Sequence, residues 1–339
     1  MESEKTEKSE KDLIVDVKSS EVSIALMENH RLIELDRQSS QGPSFNVGDV
    51  FLGKVKKLLP ALNAAFVDIG DEKEAFVHYL DLGLYFRAFD EFVKRINPNT
   101  HNIHKGIYSH IKLGEPLGKD GKIEDVLSVG QMIAVQIVKE PISTKGSRLT
   151  AEISLAGRNI VLLPFAEKVS VSQKISSKEE KKRLELLVRN ILPKNYGAII
   201  RTAAEGKSAS VLDAELMSLV EKWEESWKKL ARSKTVQLLF TEYSKTTVVL
   251  RDLLNDSFTN IHVNDEAVYE EIRKYISLIS PEQEKIVHLY DGKAPIFDNF
   301  EVTRQIKSSF GKVVPIKQGA YLVIEHTEGL LVVDVNSGT

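Results

Sequence analysis

Residues 12–40 alternate apolar and polar positions with a period of two, the pattern of half-buried strands. Leu13-Ile14-Val15-Asp16-Val17, Val22-Ser23-Ile24-Ala25-Leu26 and Leu32-Ile33-Glu34-Leu35 are separated by Ser19-Ser20 and Glu28-Asn29-His30. The spacing predicts a three-stranded antiparallel meander. Gly42-Pro43-Ser44 breaks it, and the strands that follow carry glycines at Gly48, Gly53 and Gly70, as barrel strands do where they bend. With further strands at 74–78 and 129–139, residues 45–149 read as a small barrel. The stretch 81–124, long, glycine-rich and charged, reads as an insertion rather than core.

Farther on, the period changes. Ser177-Lys178-Glu179-Glu180 is a capping-box signature opening a helix that aligns Leu184, Leu187, Val188 and Ile191 and ends before Pro193. Leu212, Leu216, Leu219, Trp223, Trp227 and Leu230 form a second stripe at helical spacing, which serves packing or a partner. Its opposite face, with Glu221, Lys222, Glu224, Glu225, Lys228 and Lys229, is charged and solvated. Strands are predicted at 235–240, 246–252 and 258–263, a helix over 265–278, strands at 285–290 and 312–315, and a helix over 302–310. The runs 320–324 and 330–334 read as an antiparallel pair. No internal repeat and no phosphate-binding glycine loop occurs.

Composition narrows the class without fixing it. With 339 residues, 42% hydrophobic and 28% charged, the chain is long enough for two or three domains. A net charge of −3 gives no global nucleic-acid signature, so any RNA binding must come from local basic and aromatic surface. Cysteine is absent, which removes disulfides and Cys-based zinc sites and fits a reducing, cytoplasmic location. Residues 1–11 read as a disordered leader, not a signal peptide, and no apolar run approaches the ~20 residues of a membrane span.

Three constellations carry candidate chemistry. Asp334 and Asn336 lie two residues apart, hence on one face of the final strand. Asp334 suits a divalent metal, and Asn336 suits a phosphate or the orientation of that carboxylate; the same pair also suits the capping of a turn. Phe66 and Phe76 sit near the ends of neighbouring strands, with Lys139 and Lys145 on a later strand and loop. An OB barrel stacks bases on such aromatics while lysines meet phosphates, although strand phenylalanines are as often core. Ile199-Ile200-Arg201-Thr202 ends a strand in a guanidinium fork and a hydroxyl, a pair suited to a terminal phosphate.

Gly53-Lys54-Val55-x-x-Leu58, Phe66-Val67-Asp68-Ile69-Gly70 and Ala75-Phe76-Val77 resemble the OB-fold RNA-binding motif of ribosomal protein S-one. They are followed in order by Ile153-Ser-Leu-Ala-Gly157, Val161-Leu-Leu-Pro164, Ile200-Arg201-Thr202, Lys285-Ile-Val-His-Leu-Tyr290, Pro295-Ile-Phe297 and Glu325-His-Thr-Glu-Gly-Leu-Leu-Val-Val-Asp334-Val-Asn336-Ser337-Gly338. This series resembles the ribonuclease E/G family over residues 12–339. The resemblance implies an α+β multidomain protein. An RNase H-like domain is divided between 12–44 and 245–311, and an OB-fold RNA-binding barrel spans 45–149. A mixed α/β 5′-sensor region covers 150–244, and a DNase I-like catalytic subdomain begins at 312.

It further implies a Mg²⁺-dependent endoribonuclease that cuts single-stranded RNA, leaves 5′-phosphates, and acts in rRNA and tRNA maturation and mRNA decay. Asp334 matches the Mg²⁺ ligand and Asn336 its support. Phe66, Phe76, Lys139 and Lys145 match the RNA-contacting set; Gly157, Val161, Arg201 and Thr202 match the 5′-monophosphate sensor. The family's second catalytic Asp, its zinc link and its dimerisation domain match nothing here. The expectation is a chain truncated within the catalytic subdomain and inactive alone, the full-length protein being a homo-oligomer. The sensor's other arginine aligns with Gln173 or Lys174, which weakens the expected monophosphate preference. In the insertion, Arg87, Lys94, Arg95, Lys105 and Lys112 suit either RNA or solvent. The alternative is a non-catalytic RNA-binding protein using the barrel and the phosphate pocket.

Overall fold

The structure is a computed structural model describing residues 10–39, 45–96, 111–230, 235–241, 245–255, 257–309, 311–316 and 319–337. Most of the expected leader, the break at Gly42, Lys105 of the expected insertion, and Gly338 and Thr339 lie outside the described residues. The chain divides into two compact units, residues 1–42 with 244–339, and residues 43–243.

The first unit begins with β1 (Lys11–Val17), β2 (Glu21–Glu28) and β3 (Arg31–Ser39). The predicted meander forms, with Val15 opposite Ile24 and Ala25 opposite Leu35. β1 starts at Lys11, inside the expected leader, because Lys11 N–H reaches Ser257 O at 2.8 Å.

The second unit carries a closed barrel of β4 (Val50–Leu59), β5 (Ala64–Asp68), β6 (Ala75–His78), β7 (Met132–Lys139) and β8 (Arg148–Thr150). Neighbours run β4-β5-β6-β8-β7, and β7 pairs back onto β4. This is an OB-like order, with β6 and β8 parallel. Gly53 is where β4 crosses β5 most closely: an added Cβ would lie 2.7 Å from Val67 Cγ1 and 3.0 Å from Asp68 O. Gly53→Ala is expected to destabilise this unit by about 1–3 kcal/mol, read as a fall of roughly 3–10 °C in the unfolding midpoint.

The segment between β6 and β7 is not merely an insertion. It forms α1 (Phe86–Arg95), whose Phe86, Phe89, Phe92 and Val93 are buried. The aromatic repeat at three- and four-residue spacing outweighs the glycines and charges around it. Lys94 and Arg95 pair with Asp90 and Glu91 on the same helix.

β9 (Leu155–Ala156), β10 (Ile160–Pro164), β11 (Val169–Val171) and β12 (Tyr196–Ile200) make a four-stranded sheet ordered β11-β12-β10-β9. Two helices belong to the same part of the chain, α2 (Lys178–Ile191) and α3 (Ala209–Leu230). Ser177 Oγ caps α2 by accepting from Glu180 N–H at 3.1 Å. The α3 stripe is core: Leu212, Leu216, Leu219, Trp223 and Trp227 are buried, and Trp227 meets Phe92 edge-on at 5.0 Å. β13 (Gln237–Phe240) then adds to the free side of β4.

Back in the first unit, 246–252 is not a strand but part of α4 (Lys245–Leu253). The β-branched run Thr246-Thr247-Val248-Val249 favours strand locally. Thr246, Thr247, Leu250 and Leu254 nevertheless bury one helical face, and Thr247 Oγ1 donates to Glu271 at 3.1 Å. β14 (Phe258–Val263), α5 (Glu266–Ile279, capped by Asp265) and β15 (Val287–Leu289) extend the opening sheet in the order β15-β14-β1-β2-β3. β14 is parallel to both β1 and β15. Next come α6 (Ile296–Asn299) and α7 (Val302–Ser309), whose Ile296, Phe297 and Val302 cluster with Ile14, Ala25 and Met27. The last sheet comprises β16 (Val313–Pro315), β17 (Tyr321–His326) and β18 (Leu331–Asn336), all antiparallel.

Candidate functional site

The register of the barrel brings five outward residues into one row. Lys57 on β4 opposes Phe66 on β5, Phe66 opposes Phe76 on β6, Phe76 opposes Arg148 on β8, and Arg148 opposes Lys139 on β7. Residues directly opposite share a sheet face. Inward neighbours Val55, Ala65, Val67, Val77 and Leu149 are buried. Both phenylalanines are half-buried, their rings edge-on at 6.2 Å, so each keeps a face toward solvent with a basic side chain at either end of the pair. This is the arrangement for stacking bases between phosphate contacts.

Lys57 and Arg148 were not among the residues singled out from the sequence. A bulge at Lys56 shifts the register between Val55 and Lys57, so that Lys57 faces Phe66. Lys56 instead meets Asp68 at 3.1 Å. Burial alone would raise the Asp68 carboxyl; the Gly70 N–H and the Lys56 and Lys54 ammoniums outweigh it and hold the group below its ordinary value. Arg148 donates from Nε and Nη2 to Asp81 Oδ2 at 3.1 and 3.0 Å, which fixes the guanidinium plane. Lys145 stands outside the row: it is exposed on the tight 142–145 turn before β8, where Ile142 and Lys145 exchange backbone hydrogen bonds.

A second constellation gathers at the ends of β9, β11 and β12. Arg201 N–H donates to Asn159 O at 2.8 Å. Its Nη1 donates to Gly157 O at 2.9 Å. Thr202 Oγ1 lies 2.9 Å from Ser172 Oγ, which places the 172–174 loop beside it. Val161 is held in β10 between Ala156 and Ile199. Gln173 and Lys174 are exposed, and Lys181 Nζ reaches Gln173 O at 3.4 Å. Glu180 does not complete a reciprocal capping box. Its carboxylate takes Arg183 and the Gly206 N–H instead, and the Arg183 hydrogen bonds draw its pKa down to about 2.

The third lies in the first unit. Asp334 on β18 is exposed, opposite Val323, and Asn336 Nδ2 donates to its Oδ2 at 3.1 Å. The carboxamide therefore orients the carboxylate. No cluster of three or more His, Cys, Asp or Glu occurs among the described residues. One oriented, solvent-facing carboxylate fits Mg²⁺, which takes one or two protein carboxylates and keeps several waters.

The barrel is closed and OB-like, with a basic and aromatic outer row, and the pattern of the ribonuclease E/G family matches residues 154–339; the chain belongs to that family. It is 33% identical to ribonuclease G of Haemophilus influenzae over 329 residues, 96% of this chain and 62% of that protein. Ribonuclease G of Escherichia coli K12 gives the same identity and coverage. Ribonuclease E of that strain is 32% identical over 328 residues, 96% of this chain and 28% of its own length. The chain thus spans less than two thirds of these relatives. No helix among the described residues is long and apolar enough to cross a membrane.

Proposed function

We propose that this chain belongs to an endoribonuclease that cleaves single-stranded RNA with Mg²⁺, leaves 5′-phosphate ends, and favours substrates already carrying a 5′-monophosphate. Maturation of rRNA and tRNA and decay of mRNA are the processes this activity would serve. The observation that carries the reading is the Lys57-Phe66-Phe76-Arg148-Lys139 row, a surface built for single strands. The relatives' names, ribonuclease G and ribonuclease E, support the hydrolytic chemistry. The order β15-β14-β1-β2-β3 supports an RNase H-like domain, and β16 to β18 the start of a DNase I-like one.

In this reading the barrel holds a substrate strand by stacking, and Arg201 with Thr202 engages its terminal phosphate. Gly157 O accepts from Arg201 Nη1 at 2.9 Å and so orients the guanidinium that would meet the phosphate. Asp334, oriented by Asn336, would hold Mg²⁺. When bound, the metal supplies activation of water and neutralisation of charge on the scissile phosphate.

The test compares cleavage of 5′-monophosphorylated and 5′-hydroxyl single-stranded oligoribonucleotides in Mg²⁺, with this chain and with one extended to its relatives' length. Mg²⁺-dependent internal cleavage with preference for the monophosphate is the expected result. Arg201→Ala is expected to lower that preference about tenfold, the cost of a charged hydrogen bond to phosphate. An extended chain that binds RNA without cutting would leave a non-catalytic RNA-binding protein.

A further inference from the structure

The 157–159 turn behind Arg201 is held from below by a carboxylate. Glu215 on α3 accepts from Asn159 N–H at 3.0 Å through Oε1. It also accepts from Asn159 Nδ2 at 2.7 Å through Oε2. Asn159 is itself buried, and its Oδ1 has no hydrogen-bond partner among the described residues, so Glu215 is the anchor of that side chain. The turn is shaped around the carboxylate: a Cβ on Gly157 would lie 2.3 Å from Glu215 Oε1. Gly157 O and Asn159 O, which accept from the Arg201 guanidinium and backbone, belong to this same turn.

We propose that Glu215 is a positioning residue of the phosphate pocket, fixing the 157–159 turn so that Asn159 O holds the Arg201 backbone and Gly157 O sets the direction of its guanidinium. The inference rests on the reading of Arg201 and Thr202 as a 5′-phosphate site. Glu215 lies beside the buried stripe of Leu212, Leu216 and Leu219, so a rigid 22-residue helix carries it. A partly buried carboxylate contributes little to stability on balance, since its desolvation offsets its hydrogen bonds. Burial pushes the Glu215 carboxyl above its ordinary value, against the pull of the Asn159 donors and the Arg158 charge. From α3 Glu215 reaches the turn whose carbonyls accept from Arg201.

The chain as it stands allows the test. Affinities for 5′-monophosphorylated and 5′-hydroxyl versions of one oligoribonucleotide are measured by fluorescence anisotropy, and their ratio is the readout. Glu215→Met keeps the volume and removes the acceptors. It is expected to lower the ratio roughly fivefold, while Glu215→Gln, with the Asn159 amide reversed, restores it to within about twofold. A merely structural role would change the unfolding midpoint and leave the ratio alone, which overturns the proposal. Should Glu215→Met not fold, Asn159→Asp sets a second carboxylate against Glu215 and serves in its place, with the same expected loss. Arg201→Ala separates the two ideas. If it abolishes the preference while the Glu215 variants keep it, the positioning role fails and the pocket stands. If the wild-type chain shows no preference, both fail.

Discussion

Asp334→Ala, made in a chain of the relatives' length, is expected to lower the cleavage rate of single-stranded RNA on the order of 10³-fold, about 4 kcal/mol of lost transition-state stabilisation. The loss should fall on kcat rather than KM, because in the proposed function the substrate is held by the barrel row and the phosphate pocket rather than by this carboxylate. Asp334→Asn separates charge from shape. It keeps a planar group beside Asn336 but removes the anion a divalent cation requires, so its loss should approach that of alanine. Folding should be little affected, since Asp334 is exposed and its hydrogen bond is to Asn336 alone among the described residues. Asn336→Ala, which frees the carboxylate to rotate, should cost less, about tenfold. Undiminished cleavage by Asp334→Ala would remove the metal-ligand assignment, whatever the barrel binds.

Much of this architecture is legible in the sequence where a single period governs. The meander of β1 to β3, the capped α2, the tryptophan stripe of α3 and the closing β17–β18 pair each follow from alternation or helical spacing. The exceptions have identifiable causes. At α4 a β-branched run favours strand, but the packing of Thr246, Thr247 and Leu250 overrides that local preference. At α1 the apolar repeat was masked by the glycines and charges around it. Lys57 was hidden by a bulge, which changes facing by one residue and leaves no trace in composition. Arg148 meets Phe76 only through a parallel pairing across most of the barrel. Glu215 stands one position from the buried stripe, where a charged residue ordinarily reads as solvated. Gly157, Arg201 and Thr202 were readable as a candidate phosphate pocket; the contacts of Ser172 with Thr202 and of Glu215 with Asn159 required the fold.

Replacement of Phe66 and Phe76 by alanine should give the largest effect on RNA affinity measurable with this chain alone. A stacked base is worth ~1–3 kcal/mol, so each substitution is expected to weaken binding of a single-stranded oligoribonucleotide about 5- to 150-fold. The two rings touch, edge-on at 6.2 Å, and each supports the orientation of the other. The double variant should therefore lose less than the product of the single losses, a coupling that independent sites would not show. The cations on either side of the phenylalanine pair act differently. Lys57→Ala should weaken binding uniformly across sequences and reduce the slope of log affinity against log salt by about 0.7, one phosphate contact on a single strand. Arg148→Ala should have a smaller net effect, because Asp81 already neutralises part of its charge and is left unpaired when it goes. Lys145→Ala, outside the row, should matter least. If both alanine variants bind as the wild type does, the phenylalanines are structural, and the nucleic-acid reading of the barrel must rest on its charge alone.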